Sequence, residues 1–173
     1  WLAPSERAVA TRLWGIEHGQ VLGMAVSIPT ASAKKTSAKP YLLYCGRIDE
    51  NKGSKQLISA FLQLRKRSAT ELRLILTGSK HMDIPKHRDI EFLGFVDEKR
   101  KAELMAGALA FVLPSEYESF SIVTLEAMAQ GTPVVLNGRC GVLRDHIELS
   151  KGGYWYQDEK GLVQALERIC QLP

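Results

Sequence analysis

The chain has 173 residues with a formal net charge of +4, and 45% of them are hydrophobic and 24% charged. This is the balance of a soluble globular protein with a single well-cored domain. It excludes wholesale disorder, and no window approaches the ~20 apolar residues of a membrane-spanning helix. Three cysteines, Cys45, Cys140 and Cys170, lie far apart with neither disulfide-framework nor zinc-site spacing, which predicts a reducing, cytoplasmic setting.

The first element is "SERAVATRLWGI", a short helix with Ser5 as its expected N-cap and Ala8, Val9 and Leu13 on one face. It begins with no initiator methionine and no charged-then-apolar leader, so the sequence reads as a fragment or excised domain. "VLGMAVSI" follows as an expected strand. "ASAKKTSAKP" (31–40) is small, polar and basic, the composition of a flexible connection. Residues 1–40 are accordingly expected to be lead-in and linker, and residues 41–173 the core.

From residue 41 the pattern becomes rhythmic. "YLLYCG" is a short apolar run closed by glycine, as in a buried strand. "SKQLISAFLQLRKR" carries Leu57, Ile58, Phe61, Leu62 and Leu64 at helical spacing. "ELRLILTG" and "IEFLGFV" read as strands and "EKRKAELMAGA" as a helix. "LAFVLP" is a strand, "SIVTLEAMAQG" a helix ending on Gly131, "PVVLN" a strand, and "EKGLVQALERIC" a closing helix. The alternation predicts an α/β fold: a doubly wound, Rossmann-like parallel sheet with helices on both faces. In such sheets ligands sit beyond the carboxyl ends of the strands, so the chemistry is to be sought in the loops that follow them.

The loop after the first strand is "CGRIDENKG". Gly46 permits close backbone approach, and Arg47 and Lys52 put two cations before a helix N-terminus, a combination suited to a diphosphate. It matches neither a Walker A loop nor G-x-G-x-x-G, and a plain solvated loop is the alternative. "TGSKHMDIPKHRD" contains His81, Asp83, His87 and Asp89, but their spacing fits no standard metal pattern, so no metal site is expected. "NGRCGVLRDH" is a weaker phosphate-loop candidate around Gly138 and Gly141, and its His146 reads as structural. The basic clusters Lys34/Lys35/Lys39, Arg65/Lys66/Arg67 and Lys99/Arg100/Lys101 are solvated helix ends and loops on one reading. On another they attract phosphates or anionic membrane surfaces. No aromatic-interleaved basic stripe points to nucleic acid.

The sharpest signal is "ESFSIVTLE", with Glu118 and Glu126 at the ends of an uncharged run. With the helix starting near Ser121, Glu118 lies in the loop before it and Glu126 one to two turns inside. Eight helical residues rise ~12 Å. That is beyond the roughly 5 to 9.5 Å that separates paired glycosidase carboxylates. It suits two acids holding different hydroxyls of one elongated ligand. Glu126 sits among residues that favour burial, so its carboxylate needs a partner.

Together "GRIDENKG", "FLGFVDE" and "ESFSIVTLEAMAQGTPVV" resemble the donor-binding, C-terminal half of the retaining GT-B glycosyltransferases of the group 1 type, from about residue 41 to the last helix. The resemblance implies a nucleotide-sugar donor and transfer of a hexose-type sugar to an acceptor. Arg47 and Lys52 would bind the diphosphate and stabilise the departing nucleotide. Glu118 would hold donor-sugar hydroxyls and Glu126 the ribose. Gly46 would allow close approach, the N–H groups of Phe120, Ser121, Ile122 and Val123 would face sugar and phosphate, and the Val96 backbone would lie near the base. The resemblance implies no metal and no cofactor, since no D-x-D is present. It implies as partners an N-terminal domain and a glycan or lipid-linked acceptor, with peripheral membrane association open for the full-length protein. It also implies that this domain alone transfers little. Two features depart from the family pattern: Ser121 stands where glycine is common, and "GRCGVLRDH" lacks the usual Pro-Glu. A GT-B-fold nucleotide-sugar epimerase and a non-catalytic nucleotide- or sugar-binding module are the competing readings.

Overall fold

The computed structural model describes residues 1–27, 39–67 and 71–171. Among them are six strands: β1 (Tyr41–Cys45), β2 (Arg73–Thr77), β3 (Ile90–Gly94), β4 (Ala110–Leu113), β5 (Val134–Asn137) and β6 (Gly153–Tyr156). The helices are α1 (Pro4–Trp14), α2 (Ser54–Arg67), α3 (Glu98–Gly107), α4 (Ile122–Ala129), α5 (Gly141–Ser150) and α6 (Glu159–Cys170). All strands pair in parallel in the order β3-β2-β1-β4-β5-β6. β1, β4 and β5 are buried along their whole length, because a parallel sheet covered by helices leaves a central strand no wet face. β3 is an edge strand, and Glu91 and Phe92 on it are exposed.

The order reverses between β1 and β4. Crossovers leaving β1 travel one way across the sheet and those leaving β4 the other, so right-handed connections set α2 on one face and α4 and α5 on the opposite one. α6 returns across the sheet to pack on α2, while α3 packs on α4. The expected apolar stripe of α2 is buried at Leu57, Ile58, Phe61 and Leu64, with Leu62 partly covered. The crevice at the reversal opens beyond the carboxyl ends of β1 and β4, where doubly wound sheets bind ligands.

The lead-in differs from the expectation in three ways. The N-cap of α1 is Ala3, with Pro4 in the first turn. Ser5 lies inside the helix, and its N–H donates to Asp145 Oδ2 on α5 at 2.7 Å. Ala8, Val9 and Leu13 are exposed, because α1 rests on α5 through Ala10 and the Ser5 end, where Gly141 leaves room for Ser5. Residues 21–27 form no strand. Ala25, Val26 and Ser27 lie instead beside α3 and α4, and the Leu22 N–H bonds the Trp1 carbonyl at 2.9 Å. Most of the linker expected at 31–40 lies outside the described residues, as do Lys34 and Lys35.

Candidate functional site

Two loops meet at the β1/β4 reversal. Gly53 ends the loop after β1 with φ +72°, and a Cβ on it would lie 2.7 Å from the Pro114 carbonyl oxygen, so only glycine lets the loops approach. Asn137, ending β5, donates to the same carbonyl at 3.0 Å. The loops are thus joined through backbone before any ion pair is counted.

Within the first loop Asp49 organises the cations. Its Oδ1 accepts the Lys52 N–H at 2.7 Å, and its Oδ2 pairs with Arg47 Nε. Burial alone would raise the Asp49 pKa, but these bonds outweigh it and hold the carboxyl below its ordinary value. The Tyr44 hydroxyl, buried beneath, donates to the Arg47 carbonyl at 2.6 Å, and burial pushes its pKa up to about 12. Lys52 then reaches across the crevice. Its Nζ lies 2.7 Å from Glu118 Oε1, and the Glu118 side chain is only 15% exposed. Gly46, Arg47, Lys52 and Glu118 therefore belong to one cluster at the rim of the sheet.

Glu118 leads into α4 through Phe120 and Ser121. The Phe120 side chain is buried, packed edge-on against His146 at 4.9 Å between centroids, and the Phe120 carbonyl bonds His146 Nε2 at 2.6 Å. Only the backbone N–H of Phe120 is left to serve a ligand, and His146 is structural. Ser121 is the N-cap of α4 with φ 66° and ψ 69°, a left-handed conformation that glycine adopts more readily than serine. Its hydroxyl shares a 2.7 Å hydrogen bond with Thr124 Oγ1, which holds the strained turn and turns the side chain inward. The Thr124 N–H closes the first turn on the Ser121 carbonyl. The N–H groups of Ile122 and Val123 precede it and have no partner within the helix, the arrangement that favours an anion.

Glu126 lies further along α4 in a second cluster. Lys101 Nζ on α3 is 2.9 Å from Glu126 Oε2 and 2.8 Å from Glu98 Oε2. The partner that a carboxylate at this position requires is therefore Lys101. Burial would lower the lysine's pKa, but its bonds to Glu126 and Glu98 raise it. A cavity of about 340 Å³ opens beside the cluster, bordered by Ala25, Val26, Ile122 and Gln130. Val96 is half-buried in the loop that leads into α3.

Adjacent residues of β1 tie the clusters to the sheet. Tyr44 feels the charges of Asp49, Glu118 and Arg47, whereas Cys45 feels those of Lys101, Glu126 and Glu98. Successive strand residues point to opposite faces, so the two acids of the motif stand on either side of the strand end, each with its own lysine. Asp49 was not singled out from the sequence, and Lys101 was named only as part of the basic cluster Lys99/Arg100/Lys101. Asp49 could have been found by its position inside "GRIDENKG". The pairing of Lys101 with Glu126 joins two helices and leaves no local signal.

Among the described residues, no three histidine, cysteine or acidic side chains are grouped so as to hold a metal ion, and no helix is long and apolar enough to cross a membrane.

Comparison with known proteins adds an independent line. The family model described as "Glycosyl transferases group 1" matches residues 39–171. An uncharacterized glycosyltransferase of Methanocaldococcus jannaschii is 35% identical over 123 residues, covering 66% of this chain and 31% of that protein. The O-antigen chain mannosyltransferase B of Escherichia coli is 29% identical over 142 residues, covering 76% of this chain and 37% of its own. In structure, the sucrose-phosphate synthase of Thermosynechococcus elongatus superposes with a TM-score of 0.74 at 26% identity, over 97% of this chain and 47% of that one. The chain thus spans about a third of the length of the curated relatives it matches.

Proposed function

Because the chain belongs to the group 1 glycosyl transferases, we propose that it is the donor-binding domain of a retaining, metal-independent enzyme that moves a hexose-type sugar from a nucleoside diphosphate to an acceptor. The observation that carries this reading is the convergence of Arg47, Lys52 and Glu118 at the β1/β4 crevice. When the bond between the anomeric carbon and the phosphate oxygen breaks, negative charge grows on the leaving diphosphate. Arg47, Lys52 and the N–H groups of Ile122 and Val123 are placed to stabilise it, in the role a divalent cation fills elsewhere. Glu118 accepts hydrogen bonds from sugar hydroxyls, and Glu126 accepts them from the ribose. The Val96 backbone lies nearest the base.

The acceptor and its binding domain belong to the rest of the parent protein, which acts in the cytoplasm or at the membrane face where a lipid-linked acceptor would be met. Alone, the 173-residue chain binds donor and transfers little. Glycosyl transfer by it at the rate of a full-length enzyme would refute that division of labour.

The test is calorimetric titration with UDP, GDP and ADP and their sugars. Arg47→Ala, Lys52→Ala and Glu126→Ala should each weaken nucleoside diphosphate binding by about tenfold or more, the worth of a hydrogen bond to a charged group. Unchanged binding in all three variants would overturn the reading.

A further inference from the structure

The Glu98–Lys101–Glu126 cluster contains more than the donor reading uses. That reading needs Glu126 to accept hydroxyls, but it gives no reason for a lysine held by two carboxylates beside it. Lys101 is only 20% exposed and Glu126 27%. The ammonium contacts Oε2 of Glu126 and Oε2 of Glu98, so it comes from α3 and bridges to α4. Glu126 Oε1 has no partner among the described residues and is left for a ligand.

We propose that Lys101 is a positioning residue that sets ribose selectivity, orienting Glu126 so that its Oε1 accepts a ribose hydroxyl in the adjoining cavity. The inference rests on the donor-binding reading above. Its physical basis is the geometry of the ion pair. The ammonium lies 2.9 Å from one oxygen of Glu126 and is carried on a neighbouring helix, so it restricts the rotamers open to the glutamate and leaves its other oxygen for a hydroxyl. The cavity of about 340 Å³ bordered by Glu98, Lys101, Ile122, Glu126 and Gln130 is where that oxygen meets the ligand. Lys101 itself reaches the ligand only through Glu126.

The experiment compares nucleoside diphosphates with their 2′-deoxy and 3′-deoxy counterparts, across UDP, GDP and ADP, on the same chain. The wild type should prefer the ribose form by about tenfold, the worth of one hydrogen bond to a carboxylate. Lys101→Met and Lys101→Gln should abolish that preference, while Lys101→Arg, which keeps the charge, should retain most of it. Each variant is checked by thermal unfolding, and the two neutral replacements give independent chances of a folded protein. If the wild type discriminates and a folded neutral variant discriminates equally, Lys101 is not the positioning residue. If the wild type shows no preference, or Glu126→Gln leaves the preference intact, the assignment of Glu126 to the ribose fails and this inference with it. A general loss of affinity with the ribose preference unchanged also overturns the proposal, since that is what a merely structural lysine would give.

Discussion

Lys52 and Glu118 face each other across the β1/β4 crevice at 2.7 Å, each from a different loop and each largely shielded from solvent. The pair links the cation expected to meet phosphate with the acid expected to meet sugar. Lys52→Ala leaves a poorly exposed carboxylate without its counter-charge, so it should cost more than its share of ligand contact. We expect Lys52→Ala to lower nucleoside diphosphate affinity by about tenfold or more, and the Lys52→Ala/Glu118→Ala double variant to be no worse for folding than the single change. Titration and thermal unfolding of Lys52→Ala, Glu118→Ala and the double variant test this. Additive loss of stability would show that the pair is not coupled.

Ser121 occupies a left-handed turn while hydrogen-bonded to Thr124. Ser121→Ala keeps the strained backbone and loses the bond, and should destabilise by about 1 kcal/mol. Ser121→Gly loses the bond but removes a backbone cost of about 1–2 kcal/mol, partly offset by glycine's greater freedom in the unfolded chain. It should therefore unfold close to wild type. Denaturant midpoints decide the matter, and alanine matching glycine would contradict the strain argument.

Gly53→Ala places a methyl 2.7 Å from the Pro114 carbonyl oxygen at a φ of +72°. Both effects push the loops apart, so a loss of about 2 kcal/mol or more is expected. The same shift would draw Lys52 away from Glu118. Weakened nucleotide binding should therefore accompany the stability loss, read by titration below the unfolding temperature.

Asp49 supplies a pH-dependent element. Its folded pKa lies below the ordinary 3.8, because the Lys52 N–H and Arg47 outweigh the opposing effect of burial. The stability it contributes is therefore complete above that ordinary value and is lost as the pH falls through the folded one. Asp49→Asn should be less stable than wild type at pH 7, with the gap closing below about pH 4. Melting curves recorded from pH 7 to pH 3 test this. A gap independent of pH would mean that the charge of Asp49 contributes nothing.

Much of the core was legible because local pattern and tertiary environment agree there. "YLLYCG" and "ELRLILTG" are apolar runs ending at glycine, each became a strand, and the residues after the first of them border the crevice. The lead-in was misread for the opposite reason. Periodicity says that Val9 and Leu13 share a face of α1, but it cannot say that both are exposed among the described residues. Likewise "VLGMAVSI" is apolar enough for a strand, yet residues 21–27 form none, and Ala25, Val26 and Ser27 border a cavity with α3 and α4. In the site, the spacing of Glu118 and Glu126 could be read directly. Their pairing with lysines could not, since Lys52 and Lys101 meet them only once separate elements are brought together. The departure at Ser121 was visible as an unusual residue. Its left-handed backbone required coordinates.

The pleat at the end of β1 has a consequence for which molecules can use the whole site. Tyr44 and Cys45 are neighbours, yet the charges around one are not those around the other. On the donor-binding reading proposed above, a small anion resting by Arg47 and Lys52 leaves the Glu126 side empty, and a free nucleoside by Glu126 leaves the loop after β1 without a ligand. On that reading, a molecule long enough to straddle the strand end, acidic in its middle and hydroxylated at both extremities, is the one that engages both acids at once. The pleat would then select for length before any individual side chain selects for chemistry.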